Sequence, residues 1–211
     1  DDRDRDRIDV TLRGGYEIVP GYQGFLRINL NDTDYVDSTD DTGVKRGSDG
    51  YEIVAGVLID LSGLTYGNIF AGYILHDYVD SGLVTIEGAT LGADLTWNMT
   101  ELTTVKLTLA RTISETTQSS ASGTFDTALD VLADHELLRH LILSARAGFE
   151  HQDFEGTSRE DKYLRFGVGA KYLVNRNLDI RLDYDFNRRN SDNAGSDFTE
   201  NVIISRAVGK L

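Results

Sequence analysis

Alternation of apolar and polar residues is the feature that most constrains how this chain can fold. In residues 177 to 187, NLDIRLDYDFN, the apolar residues from Leu178 to Phe186 alternate without a break with charged and amide residues. Side chains on a β-strand point to opposite faces with a period of two. The stretch therefore predicts a strand with one apolar face and one densely charged face.

The same alternation recurs along the chain and predicts roughly 11 strands of about 12 to 15 residues, with no convincing helix. The connections between strands alternate in predicted length. Short ones fall near residues 19–22, 61–64, 98–102, 134–140 and 174–177, and longer ones near 32–50, 76–83, 114–123, 152–161 and 187–197. Short and long connections thus lie at opposite ends of the sheet, which predicts an antiparallel meander of sequential hairpins.

Composition narrows the possible function classes. The formal net charge of -14 argues against a nucleic-acid partner, because binding to phosphates requires a basic surface. The absence of cysteine excludes disulfides, thiolate zinc sites and cysteine nucleophiles. No apolar run is long enough for a transmembrane helix. The mean hydropathy of -0.30 still permits a transmembrane barrel, because half of each barrel strand is polar.

Alternation alone also fits a soluble antiparallel sheet, or a β-sandwich, with one apolar and one wet face. Strand length favours a membrane instead. Strands of soluble proteins usually have about 5 to 6 residues, whereas a tilted strand needs about 9 to 11 to cross a bilayer. Long polar loops at one end and tight turns at the other are also typical of outer-membrane barrels. We therefore predict an all-β, antiparallel up-and-down transmembrane β-barrel in the outer membrane of a Gram-negative bacterium.

This prediction assigns the two faces of the strands to lipid and lumen. Aromatic residues near the strand ends are expected to face lipid in two interfacial belts. These are Tyr16, Tyr22, Trp97, Phe149, Tyr172, Tyr184 and Phe186. Charged residues of the opposite parity are expected to face the lumen. These are Arg13, Glu17, Arg27, Glu52, Asp94, Lys106, Asp126, Asp130, Arg146, Glu150, Arg165, Lys171, Asp179, Arg181, Asp183 and Asp185.

The lumen-facing set has two interpretations that the sequence leaves open. It can line a polar pore with an acidic bias that favours cations or hydroxyl-rich sugars. Alternatively, the charges can pair across strands and rigidify a packed wall.

Arg111 interrupts the apolar face of its strand, because it takes the next position on that face after Leu109. We expect its guanidinium to reach lipid phosphates at the interface.

Barrel closure is a further expectation. Residues 1–211 are interpreted as one outer-membrane barrel domain. The first predicted strand runs into a short turn, so it descends from outside, whereas bacterial single-chain barrels have even strand numbers and begin inside. We therefore expect that N-terminal strands of a larger even-numbered barrel are lacking, or that further chains close the sheet, because bare edges are unfavourable.

Other candidate chemistry is weak. Asp32, Asp34, Asp37, Asp40 and Asp41 crowd the longest loop, and carboxylates suit hard divalent cations, but their spacing lacks the EF-hand order. Some outer-membrane barrels are hydrolases with Ser and His at the rim, and two such pairs are possible here. They are His76 with Ser81 and His151 with Ser158. Sequence spacing cannot test contacts between strands, and we predict neither an enzyme nor a cofactor.

Several segments resemble a known family. TWNMTELTTVKLTLARTISETT (96–117), DHELLRHLILSARAGFEHQDFEG (134–156) and YLVNRNLDIRLDYDFNRRNSD (172–192) look like consecutive hairpins of a bacterial outer-membrane β-barrel family, the β-barrel porins of the second type. RDRDRIDVTLRGGYEIVPGY looks like an internal hairpin of that family, and the chain is similar to the C-terminal part of the family domain. Leu211 is a departure, because such barrels often end in Phe.

The resemblance implies a porin-like pore or an outer-membrane component of polysaccharide export. The alternative is a plugged anchor barrel whose acidic extracellular loops bind a surface partner. The partners expected are outer-membrane lipid and lipopolysaccharide, and envelope or polysaccharide-export proteins. A fold-level resemblance supports such roles by analogy only.

Overall fold

The computed structural model describes residues 4–36, 39, 43–61, 63–116, 118 and 121–209. They form one 11-stranded sheet in which each strand pairs antiparallel with its sequence neighbours. The strands are β1 Arg5–Val19, β2 Tyr22–Tyr35, β3 Ser48–Leu61, β4 Thr65–Tyr78, β5 Ile86–Thr100, β6 Thr103–Ser114, β7 Gly123–Leu138, β8 Leu141–Glu155, β9 Glu160–Asn175, β10 Leu178–Ser191 and β11 Phe198–Gly209. The predicted meander and strand number are confirmed.

The connections also alternate in length as predicted. The turns at 20–21, 101–102, 139–140 and 176–177 lie at one end, and the connections 36–47, 79–85, 115–122 and 192–197 lie at the other. Within the described ranges, no helix is long and apolar enough to span a membrane.

Two strand boundaries differ from the prediction. The sequence DHELLRH (134–140) was expected to be a turn, but β7 continues to Leu138 and only 139–140 turn. The expected loop at 152–161 shrinks to 156–159, because β8 runs to Glu155 and β9 starts at Glu160. In both places polar residues continue the ladder, since directly opposed partners supply their backbone hydrogen bonds.

Register gives the sheet two chemically distinct faces, because residues directly opposite in a ladder share a face. The outer face carries apolar side chains with no protein cover: Leu26 is 63% exposed, Val168 57% and Leu182 54%. The inner face carries most of the charged residues and most of the small buried core, including Phe25 and Val54. An apolar face of this extent requires an apolar surrounding.

The sheet is curled so that its inner face is concave. Glu115, just after β6, contacts Arg5 of β1 and Tyr35 of β2 through hydrogen bonds. These residues belong to strands at opposite sides of a six-strand span, so the contact bridges the concavity at the end that carries the long connections. We call this end the outer mouth.

The outer part of the β6–β7 hairpin bends into this concavity. The β5–β6 ladder ends at Gly92 and Ala110, although β5 begins at Ile86 and β6 continues to Ser114. Beyond that point Phe125 packs on Gly88, an inner-face position of β5. Thr90 Oγ1, on the same face, lies 2.9 Å from the carbonyl oxygen of Arg111. Side chains of this hairpin that have the register of the outer face, such as Phe125, therefore pack against the inner face of β5.

The sheet has two free edges among the described residues, since no ladder joins β1 to β11. The eleven strands alternate in direction, so β1 and β11 run parallel to each other. Every residue of β1 is exposed. Direct closure between these edges would require a parallel pair, in contrast to all ten observed ladders.

Placing a charge on the outer face should destabilise the folded protein in a bilayer. Leu182→Arg is expected to lower the free energy of unfolding by about 2–4 kcal/mol, because the guanidinium would meet hydrocarbon. Guanidinium-chloride titration of the vesicle-inserted protein measures the change.

The matched control is Thr108→Arg on the inner face, where the new guanidinium lies opposite Asp94 and Asp130. We expect this change to cost less than about 1 kcal/mol. Equal destabilisation by both substitutions would contradict the assignment of the faces.

Candidate functional site: inner wall and outer mouth

The expected lumen-facing residues share one face of the sheet. All those named above, from Arg13 to Asp185, lie on the inner face by ladder register. The seven aromatic residues expected to face lipid all lie on the outer face. Tyr16, Tyr22, Trp97 and Tyr172 are near the short turns, whereas Phe149, Tyr184 and Phe186 are nearer the outer mouth.

Over β7 to β11 the inner wall is an ion ladder, which we define by its ion pairs, most of them between strands. Arg165 contacts Glu150 at 2.6 Å and Asp130 at 3.5 Å. Arg146 contacts Asp185 at 2.5 Å and Asp183 at 3.8 Å. Nearer the short turns, Asp179 contacts Arg181 at 3.1 Å and Lys171 at 3.8 Å. Each pair neutralises charge that would otherwise repel its neighbours along the strand.

Glycines on the same face make room for the ion ladder. A Cβ added at Gly167 would collide with Arg146 and Asp185, and one at Gly148 would collide with Asp130. The long side chains therefore lie flat across the backbone of a neighbouring strand.

A second cluster, at the outer mouth, is centred on Asp161, which is fully buried. Its carboxylate accepts hydrogen bonds from Arg159 at 2.8 Å and from Arg189 at 2.5 Å. The Arg159 guanidinium also lies 4.3 Å above the ring of Phe154. Sequence reasoning missed this cluster because Arg159 and Asp161 fall in a stretch that was expected to be a loop.

Over β1 to β5 the inner wall is built from arginine, phenylalanine and glycine. Arg13 lies 4.0 Å above the ring of Phe25, and Arg27 lies 4.5 Å above that of Phe70. Each ring in turn covers a glycine on the next strand, Gly56 beneath Phe25 and Gly92 beneath Phe70. Any side chain at these glycines would displace the ring. Such cation–π contacts contribute about 0.5–2 kcal/mol each.

Arg111 follows the same pattern and corrects the expectation that it reaches lipid. Its guanidinium lies 4.2 Å above Phe125, whose ring packs on inner-face Gly88. The guanidinium is therefore inside the concavity. The physical reason is the inward bend of the β6–β7 hairpin. Arg111 keeps the register of an outer-face residue, but the bend places its side chain inside the concavity.

The outer mouth contains a cavity of about 1110 Å³. It is bounded by β1 to β4 on one side and by the inward end of β6 on the other. Arg5, Arg7, Asp9, Arg46, Glu52 and Glu115 are its charged lining residues. We call it the mouth cavity.

The histidines do not form the hydrolase pairs considered above. His76 Nε2 lies 2.7 Å from Ser48 Oγ, not Ser81, and Ser48 is only 4% exposed, so its hydroxyl is not presented to a substrate. His151 contacts Asp153 at 3.3 Å and Glu160 at 3.2 Å, not Ser158.

Two groups of residues could be considered for a metal. His151, Asp153 and Glu160 bring one ligand atom each within 4.8 Å of one another. The ammonium of Lys162, 3.1 Å from Glu160, already neutralises that carboxylate. Of the acidic loop candidates, Asp32 and Asp34 lie on the outer face of β2, while Asp37, Asp40 and Asp41 lie outside the described residues.

The family to which the sheet belongs follows from comparison with known proteins. A family model described as "Putative beta-barrel porin 2" matches residues 1–210. The chain belongs to this porin family. It is an all-β, antiparallel up-and-down β-barrel protein of the Gram-negative outer membrane. Comparison with curated proteins gives no match.

Among solved structures, an outer-membrane channel shares the fold of this porin-family chain, and two porins match it with lower TM-scores. The outer-membrane channel DcaP of Acinetobacter baumannii superposes with a TM-score of 0.63 at 12% identity, over 95% of this chain and 62% of DcaP. The chain thus spans less than two thirds of DcaP. The NanC porin gives a TM-score of 0.47 at 11% identity, covering 99% of this chain and 97% of NanC. The KdgM porin gives 0.38 at 12% identity, covering 98% and 100%.

The ion ladder should stabilise the porin-family barrel through specific pairs. In a double-mutant cycle of Arg146→Gln and Asp185→Asn, we expect a coupling energy of about 1 kcal/mol, because the two groups meet over Gly167, the residue of β9 that is paired with both of them. Unfolding titrations in vesicles measure the four variants.

Arg176→Gln combined with Asp185→Asn is the control, because Arg176 lies in the exposed turn between β9 and β10. This control cycle should give no coupling. A coupling energy near zero for Arg146 and Asp185 as well would show that the pair is not formed in the bilayer.

Proposed function

We propose that the protein is a porin-like pore for small polar solutes. The observation that carries the proposal is the mouth cavity, a polar space inside the concave face at the end where the long connections lie. On β8 and β9, charged side chains of the ion ladder lie flat over Gly148 and Gly167 of the wall. A polar wall around open space suits conduction of hydrated solutes.

Selectivity by charge should be modest. The acidic residues of the ion ladder are each held by an arginine or lysine, which cancels much of their field. The chain nevertheless carries a net charge of -14, and this attracts cations to the entrance. We therefore expect a weak preference for cations.

Single-channel recording in planar bilayers tests the pore directly. The full protein is expected to give steady, ohmic current in potassium chloride with a small cation preference. A barrel that inserts, as shown by protease protection, but carries no current would favour the plugged anchor instead.

The plugged anchor is the second candidate because the β6–β7 hairpin enters the concavity. Glu115 ties this hairpin to Arg5 and Tyr35, and Arg46 Nη1 donates to the carbonyl of Thr116 at 3.3 Å. These bonds hold the hairpin across the mouth. They narrow the passage but leave the mouth cavity beside them.

Releasing this tie should widen the passage. Glu115→Ala removes the acceptor of both Arg5 and Tyr35, and we expect conductance to rise by about 20–50% as the hairpin loosens. Glu101→Ala, in the exposed turn between β5 and β6 at the other end, should leave conductance unchanged. Unchanged conductance in Glu115→Ala would show that the hairpin does not limit the current.

We further propose that additional strands, from outside residues 1–211 or from another chain, close the sheet between β1 and β11. Backbone groups on these edges would otherwise meet hydrocarbon without partners. The odd number of strands between the edges makes direct closure parallel. The role in polysaccharide export that the family resemblance implies stays a prediction.

Disulfide trapping tests the closure, because the chain has no cysteine of its own. Val10→Cys is combined in turn with Ile203→Cys, Ser205→Cys or Ala207→Cys. None of these pairs should cross-link, because a disulfide requires Cβ atoms about 4 Å apart and the intervening strands would hold β1 and β11 farther apart than that. The control pair Tyr184→Cys and Ile203→Cys, directly opposite in register, should cross-link. Efficient β1–β11 cross-linking would show a self-closed sheet.

A further inference from the structure

We infer that the mouth cavity is a binding site for an uncharged, hydroxyl-rich solute of about trisaccharide size. The inference deepens the proposed pore function and rests on it. It follows from how the charged groups of the cavity are balanced and already engaged.

The charges that line the mouth cavity balance. Three are cationic and three are anionic: Arg5, Arg7 and Arg46 against Asp9, Glu52 and Glu115. A site for an anion or a cation requires an excess of the opposite charge. The balance therefore disfavours a charged solute here, although the whole chain is strongly acidic.

Each of these charged groups is already held by a protein partner. Arg7 donates two hydrogen bonds to Asp9, from Nε to Oδ2 and from Nη2 to Oδ1, each 2.9 Å long. Glu52 accepts from Asn29 at 2.7 Å and from Arg27 at 3.1 Å. Arg5 and Glu115 contact each other, and Arg46 donates to Thr116. A charged solute would have to break one of these pairs, leaving its partner uncompensated.

A solute hydroxyl does not carry that cost. It can donate to the remaining lone pair of a carboxylate and accept from a neighbouring guanidinium N–H without separating the two. The cavity also offers Thr11, Asn29 and Asn31 as neutral polar groups. Such alternating donors and acceptors match the two-sided hydrogen bonding of sugar hydroxyls.

Apolar surface completes the match. Tyr35, Tyr78, Ile74 and Ile113 line the same cavity. Tyrosine rings combine an apolar body with a polar tip, which suits the C–H faces and hydroxyl rims of a sugar. The volume of about 1110 Å³ is slightly larger than that of most ligand pockets, which hold roughly 300–1,000 Å³.

Calorimetric titration of the full protein in detergent tests the solute class without depending on conduction. The probes are maltotriose, which is neutral, trigalacturonic acid, which is anionic, and the glucosamine trimer, which is cationic. We expect maltotriose to bind at least about threefold more tightly than either charged trisaccharide. Tighter binding of a charged trisaccharide, or no measurable binding of maltotriose, would overturn the inference.

Two variants should move the preference in opposite directions. Asp9→Asn gives the cavity one excess positive charge, so the affinity for trigalacturonic acid relative to maltotriose should rise at least about threefold. Arg7→Gln gives one excess negative charge and should favour the glucosamine trimer. Asp32→Asn makes the same charge change as the first variant on the outer face of β2, and should leave all ratios unchanged.

Bilayer recording separates this inference from the pore itself. Current that maltotriose does not reduce, together with absent binding in the calorimeter, would leave the pore intact and remove the proposed solute. Maltotriose binding by a protein that conducts no current would keep the binding site and remove the pore. Ratios that change equally in Asp32→Asn would locate the charge effect outside the mouth cavity, contrary to the inference.

Discussion

Backbone hydrogen bonding in a medium without water is the constraint on which the rest of this structure depends. In hydrocarbon each N–H and C=O must find a partner in the protein, so the chain must form long uninterrupted ladders. The ten antiparallel ladders do this, and they fix which side chains share a face. Period-two alternation in the sequence follows from that requirement, because lipid lies on one side of the ladders and a polar interior on the other.

The interior solves a second problem, which is to fill a concave wall without closing it. Over β7 to β11 the solution is electrostatic: opposite charges pair across strands and lie flat over glycines. Over β1 to β5 it is aromatic: inner-face phenylalanine rings cover glycines, and inner-face arginines stack on these rings. Both devices keep long side chains close to the wall.

The sequence was sufficient to predict the strand number, the meander and the shared face of the charged residues expected in the lumen, because each depends on local periodicity. NLDIRLDYDFN shows this: Asp179, Arg181, Asp183 and Asp185 share the inner face, and their partners proved to be Lys171, Arg146 and Arg206. The partners themselves depend on register between strands. Register is set by turns and bulges that alternation does not specify.

The inward bend of the β6–β7 hairpin could not be predicted for a different reason. In the sequence, Arg111 alternates as a lipid-facing residue would. It lies inside because the β5–β6 ladder ends at Gly92 and Ala110, and beyond that point the hairpin bends inward. The sequence does contain a signal for a different feature, the aromatic packing of the inner wall. The phenylalanines at Phe25 and Phe70 have the parity of the charged face and oppose glycines, which marks an inner wall packed by rings rather than one that is wholly polar.

Cysteine accessibility along β10 tests the central claim, that one face of these ladders meets lipid and the other meets water. Single cysteines at each position from Ile180 to Asn187 can be introduced without interference, because the chain has none. In the bilayer, a membrane-impermeant maleimide should label positions 181, 183, 185 and 187 and leave positions 180, 182, 184 and 186 unlabelled. Uniform labelling, or labelling of the apolar parity, would contradict the account.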